Sequence, residues 1–228
     1  MAQREPLFKG PWPVWTIAGA ILASYAAQSL LLKSDAALLA LALVPADLAR
    51  GHSSPLVTAL FIHGNWAHAV SNAVGALAFG APAARYLGLG PKGAFGFFLL
   101  FLVCGVLSSA GYALLHLHDL APMAGASGAV SGLLGASTRL VDRRTRLSPL
   151  ATRSVVASTA AWIVVNGVMG ALHYDPFVGE VHLAWEAHIV GYFVGLLLIG
   201  PFGALFGQPF RDEDSEGEDS DGSIQNAG

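Results

Sequence analysis

The run AFGFFLLFLVCGVLSSAGYALLH, Ala94–His116, contains no Asp, Glu, Lys or Arg. A helix rises 1.5 Å per residue, so a stretch of about 20 apolar residues crosses the roughly 30 Å hydrocarbon layer of a bilayer. Five more runs are apolar over a spanning length: Pro13–Leu32, Trp66–Ala84, Ala121–Val141, Ser154–Leu172 and His182–Phe206. The expected architecture is an all-α polytopic membrane protein, a bundle of six transmembrane helices. Composition agrees, with 54% hydrophobic and 12% charged residues and a mean hydropathy of +0.57, a balance foreign to soluble domains. The shorter apolar piece Ala36–Val44, bracketed by Asp35 and Asp47, falls below spanning length and reads as an interfacial or re-entrant part of a long loop.

Lys and Arg accumulate in cytoplasmic loops beside the spans. An inside N-terminus puts Arg4, Lys9, Arg85, Lys92, Arg139, Arg143, Arg144, Arg146, Arg153 and Arg211 in the cytoplasm and only Lys33 and Arg50 outside. Both termini are then cytoplasmic, and the second, fourth and sixth spans run inward, with a bacterial cell membrane as the expected location. The first run, preceded by Arg4 and Lys9, resembles a signal peptide in its flanks but has full spanning length, so a retained helix is expected. Residues 1–206 form the membrane body. From 207 to 228 the chain is acidic, Ser- and Gly-rich and almost without apolar residues, the composition of a disordered cytosolic tail. The formal charge of −3 originates in that tail, and nothing points to nucleic acid. Cys104 is the only cysteine, which excludes an intrachain disulfide or a cysteine-cluster metal site. It reads as a small buried hydrophobe.

Polar side chains inside lipid are expensive and usually mark function. Ser127 lies twelve residues before Arg139, Asn72 thirteen before Arg85 and His188 thirteen before Pro201. These spacings put all three roughly 18 to 20 Å from the inner end of their spans, about 10 Å below the outer surface. Serine is a weak nucleophile until a base removes its proton, and imidazole is such a base. Gly128, Gly132 and Gly135 follow Ser127, while Ala187, Gly191 and Gly195 flank His188. Such small-residue stripes let helix backbones approach, so Gly128, Gly191 and Gly195 are expected to support packing that aims His188 at Ser127.

Three motifs then stand in order: Phe61-Ile62-His63-Gly64-Asn65-Trp66-Ala67-His68-Ala69-Val70-Ser71-Asn72, Gly125-Ala126-Ser127-Gly128, and Ala187-His188-Ile189-Val190-Gly191-Tyr192-Phe193-Val194-Gly195. Together they resemble the rhomboid intramembrane serine proteases from the second span to the sixth. The resemblance implies Ser127 as nucleophile, His188 as general base, His68 and Asn72 as oxyanion donors, Gly125 as part of the bend before the nucleophile, and His63 as a residue that fixes the loop. It implies no cofactor, single-span membrane protein substrates within a lipid bilayer, lateral entry near the second and fifth spans, and movement of the loop Asp175–Glu180.

No carboxylate is spaced to complete a triad. Glu186 is two residues from His188, on another helix face, and Asp175 and Glu180 belong to the preceding loop. A Ser-His dyad is expected, with packing left to hold the imidazole. Four residues after the serine, where the family often has an aromatic that stacks on the histidine, stands Ser131, and the family's Trp-Arg pair is missing from the first outer loop. Two other functions compete. One is a non-catalytic relative that binds transmembrane clients, although such proteins typically lose the serine or histidine. The other is a metal or proton transporter using His116, His118, His173 and His182, which lack a carboxylate at ligand spacing; no metal is expected. There is no His-Glu-x-x-His motif and no phosphate loop.

Overall fold

The computed structural model describes residues 10–48, 50–140, 147–172, 174–175, 179–180 and 184–207. Among the described residues the regular structure is helical apart from two short strands. In chain order the elements are α1 (Trp12–Leu31), α2 (Asp35–Leu39), α3 (Pro45–Leu48), α4 (Pro55–Thr58), a 3-10 turn (Ala59–Phe61), α5 (Trp66–Leu87), α6 (Pro91–Leu115), α7 (Ser127–Thr138), α8 (Arg153–Leu172), the strands β1 (Tyr174–Asp175) and β2 (Gly179–Glu180), and α9 (Trp185–Phe206). The strands pair antiparallel.

Local chemistry explains the helix ends. Asn65 caps α5 by accepting from the His68 N–H at 2.8 Å, which satisfies one of the donors that a helix start leaves open. α5 stops at Gly88, whose φ is +95°. Gly90 and Pro91 open α6, proline costing nothing at a first-turn position where its missing N–H would have no partner.

Each of the six expected runs contains a helix, but one differs in extent. The fourth run, Ala121–Val141, is helical only from Ser127 to Thr138, about 18 Å of rise and too short to cross hydrocarbon by itself. The six residues before it are non-helical chain that passes from exposed Ala121 and Pro122 to buried Ala126. There the Met123 and Leu43 backbones exchange two hydrogen bonds, and the Gly125 N–H donates to the Ala59 carbonyl at 2.9 Å. Non-helical backbone at membrane depth survives only where protein or water satisfies it in this way. Four helices, α1, α6, α8 and α9, are both long and apolar enough to cross a membrane. The last run also becomes helical only at Trp185. The piece Ala36–Val44 ends in the Leu43–Met123 bridge, which ties the first loop to the chain entering α7. Arg4, Lys9, Arg143, Arg144, Arg146, Arg211, His173, His182 and the tail from 208 onward lie outside the described residues.

α7 lies at the centre, with ten of its twelve residues buried, all but Ser127 and Leu134, between α5, α6 and α9. The core around it includes Ile21, Ala76, Phe97, Leu100, Cys104, Leu133 and Ile199. α8 sits outside this core. Only Val155 and Asn166 on it are buried, while Val156, Ile163, Val164, Val165 and Val168 are exposed. In lipid such a surface is ordinary, because acyl chains are as apolar as the side chains they touch.

Candidate active site

Ser127 is the first residue of α7, and Ala126 before it is fully buried. A first-turn position leaves its backbone N–H without an intrahelical acceptor and puts it at the positive end of the helix dipole. The bend that delivers it depends on Gly125, whose φ of +125° excludes most L side chains. A Cβ there would also sit 2.7 Å from Nε2 of His68, so the missing side chain is what lets that imidazole lie against the bend. His63 supports the next residue, with its Nε2 facing the Ala126 N–H at 3.5 Å.

The imidazole comes from α9. Gly191 and Gly195 bring this helix against α7 so closely that a Cβ at either would collide with the backbone of Gly128 or Gly132. One turn before Gly191, Nε2 of His188 stands 2.8 Å from Oγ of Ser127. Two ties to α6 and its C-cap residue fix the start of α9 just before that histidine. The Ser108 hydroxyl donates to the Ala187 carbonyl at 2.7 Å, and Oε1 of Glu186 meets Nε2 of His116 at 3.2 Å. Glu186 therefore faces His116, away from His188.

The other imidazole nitrogen has a partner that sequence reasoning missed. Nδ1 of His188 lies 3.0 Å from Oδ1 of Asn166 on α8, and the Asn166 amide is itself oriented because Nδ2 donates to the Trp162 carbonyl at 3.0 Å. The expectation that packing alone would hold the imidazole is thus corrected, because a side-chain hydrogen bond reaches it from α8. The signal was available in the sequence, since Asn166 is a polar residue in the middle of an apolar run.

His68 and Asn72 share one face of α5. Asn72 is buried, and its Nδ2 donates to the His68 carbonyl at 2.9 Å, leaving the second amide hydrogen to point elsewhere. Both residues line a cavity of about 600 Å³ together with Gly125, Ser127, Asn166 and His188. The cavity extends along α5 past Val74 to Phe79, and along α8 from Trp162 to Met169, so two helix faces form a cleft leading to the serine.

The Rhomboid domain family model matches residues 50–204, more than half of the chain. The chain belongs to the rhomboid family. With its apolar helices this makes it an integral membrane protein. No curated protein matches it.

Within this rhomboid domain the structure brings Ser127, His188, His68, Asn72 and Gly125 around one cavity and puts Gly128, Gly191 and Gly195 in the α7–α9 contact. His63 sits behind the bend. Its backbone is clamped by Gln28 of α1, which donates to the His63 carbonyl at 2.7 Å and accepts from the His63 N–H at 3.0 Å. Burial, with the neighbouring His68 second, lowers the His63 pKa to about 4 against an opposing contribution from the Phe61 carbonyl, so this imidazole stays neutral and can accept from Ala126. Ser131 is buried and no aromatic occupies that position. Of the rival set of outer histidines, His173 and His182 lie outside the described residues. His116 has one nitrogen toward Asp119 at 3.0 Å and the other toward Glu186, and among the described residues no three His, Cys, Asp or Glu side chains form a metal site.

Proposed function

We propose that this protein is an intramembrane serine endopeptidase in which Ser127 and His188 form the dyad, cutting transmembrane segments of single-span proteins near their outer end. The observation that carries this reading is the 2.8 Å contact between Ser127 Oγ and His188 Nε2, at a helix start and inside a cavity shared with Asn72 and His68. Six segments cross the bilayer, among them α5 and the non-helical entry together with α7, with both termini in the cytoplasm of a bacterial cell and residues 207–228 as a cytosolic tail. In this arrangement α7 begins at membrane depth and needs only about 18 Å to reach the inner surface.

His188 takes the Ser127 proton as Oγ attacks the scissile carbonyl carbon. The tetrahedral intermediate carries a negative oxygen, and the Ser127 N–H, Asn72 Nδ2 and His68 stabilise it; donors aimed at developing charge are usually the largest single contribution to catalysis. The imidazolium then protonates the leaving amine, the C–N bond breaks, and an acyl-enzyme remains on Ser127. Water, deprotonated by His188, hydrolyses it and restores the hydroxyl. A helical substrate carbonyl is already hydrogen-bonded, so the segment must unwind locally, which favours Gly, Pro or Ser near the outer boundary.

Co-expression with a panel of single-span substrates, comparing the parent with Ser127→Ala, tests this directly. Cleavage by the parent alone supports the proposal, and equal cleavage by both refutes it. A fluorophosphonate probe on purified, folded protein gives a second answer, since failure to label Ser127 would favour a protein that binds transmembrane clients without cutting them.

A further inference from the structure

Resting on the Ser-His reading above, we infer that Asn166 is the positioning residue of this protease, holding His188 in the one tautomer that can act as a base. An imidazole accepts the Ser127 proton only if Nε2 carries a lone pair, which requires the ring hydrogen to be on Nδ1. Glu186, the acidic residue nearest in the chain, turns to His116, and the stacking position four residues after the serine is Ser131. What faces Nδ1 at 3.0 Å is Oδ1 of Asn166.

An amide is ambiguous in principle, because its oxygen accepts and its nitrogen donates. Here the ambiguity is removed by the next contact. Nδ2 donates to the Trp162 carbonyl at 3.0 Å, and exchanging the two ends would set oxygen against oxygen there. Oδ1 must therefore face His188, Nδ1 must donate to it, and Nε2 is left to accept from Ser127. Trp162 is held in turn, its ring stacked on Tyr192 with centroids 6.1 Å apart, while the Tyr192 hydroxyl meets Oγ1 of Thr159 at 2.9 Å. Val155, Thr159, Trp162 and Asn166 recur at helical spacing, so one stripe seats α8 on α9 and delivers the amide to the imidazole.

With the acceptor gone, the preferred ring hydrogen position moves toward Nε2, where it would donate to Ser127 instead of accepting from it. The loss should appear in the chemical step and not in substrate binding. Asn166→Leu preserves volume and removes the acceptor; Asn166→Asp keeps an oxygen at the same place. Among the described residues the titratable groups that share the cavity with His188 are His68 on α5 and Tyr112 on α6, and neither substitution changes them.

The test measures kcat and KM for one cleaved substrate and the fluorophosphonate inactivation rate for parent, Ser127→Ala, Asn166→Leu and Asn166→Asp, with imidazole 15N spectra of histidine-labelled protein. Asn166→Leu should lower kcat and the inactivation rate together by at least about 100-fold, short of the roughly 10⁴-fold loss that follows a mis-set tautomer where a carboxylate holds the histidine, with KM within about twofold. Asn166→Asp should recover at least a tenth of the parent rate. The spectra should show the Nδ1–H form of one histidine depleted in the leucine variant. Parent-like kcat in Asn166→Leu, a change confined to KM, or equal losses in both variants would overturn this inference while leaving the Ser-His reading intact. If Ser127→Ala cleaves at the parent rate, that reading fails and the inference fails with it.

Discussion

Replacing Asn72 with alanine separates catalysis from folding. Asn72 is buried in α5, and its donation to the His68 carbonyl at 2.9 Å goes to an oxygen that the helix already bonds through the backbone N–H four residues on. Its removal strands no buried acceptor, so the cost to stability should stay near 1 kcal/mol. The catalytic cost is larger. One donor to an oxyanion contributes roughly 3 to 4 kcal/mol, which corresponds to a factor of about 100 to 1,000 in kcat. The Ser127 N–H and His68 remain, so measurable cleavage should persist, unlike in Ser127→Ala. The assay is kcat and KM on a cleaved single-span substrate in detergent or proteoliposomes, with thermal unfolding followed in parallel. Unaltered kcat would remove Asn72 from the oxyanion site, and a fall matched by a collapse in melting temperature would make its role structural.

Ser127→Ala and His188→Ala should each abolish cleavage and fluorophosphonate labelling while the melting temperature stays within a few degrees of the parent. Stability should also depend on His63. Its pKa is about 4 folded against 6.5 ordinarily, so below pH 6.5 the unfolded chain takes up a proton that the folded protein refuses. About 3 kcal/mol is lost as the pH falls from 6.5 to 4, with no further contribution from this residue below that; thermal melts of the parent and His63→Gln should converge as the pH drops through that window. Gly195→Val would drive a side chain into the Gly132 carbonyl, which should cost 1 to 3 kcal/mol or more and slow labelling of Ser127 by spreading α7 from α9. Gly19→Ala, where a Cβ meets nothing within 4 Å, is the control and should leave both readouts unchanged.

The sequence is most legible where one residue type has one physical use. Apolar runs of spanning length locate the helices. Glycines three and seven residues after a histidine can be read as a contact face, because only a missing side chain permits the approach seen between Gly195 and Gly132. The meeting of Ser127 with His188 follows from depth and from those glycines. What stays hidden is which of several chemically equivalent partners a group selects. Glu186 could have faced either side of its helix, and it joins His116. Gln28 reads as an unremarkable polar residue near the end of the first run until its side chain is seen to bond both backbone groups of His63. Asn166 carries no motif, and its role depends on the rotation of α8, which neighbouring hydrophobics leave undetermined because most of them face outward.

The shortness of α7 ties these features together. Read as composition, Ala121–Val141 is a continuous span; as structure it is an extended entry, a glycine bend and a twelve-residue helix. A helix that began at Ala121 would bond the N–H of Ser127 to a carbonyl one turn back and seal the hydroxyl in helix-to-helix contact. Interrupting it frees that N–H at the level where His188 stands and leaves room for a cavity of about 600 Å³. The exposed backbone of the entry is then satisfied piece by piece: Met123 on Leu43, Gly125 on Ala59, Ala126 on His63. The first loop, the α4 turn and the loop before α5 supply those partners, so these irregular segments have a physical reason to exist in a protein otherwise made of lipid-compatible helices. Loosening any one of them should be felt at Ser127 before it is felt in the global fold.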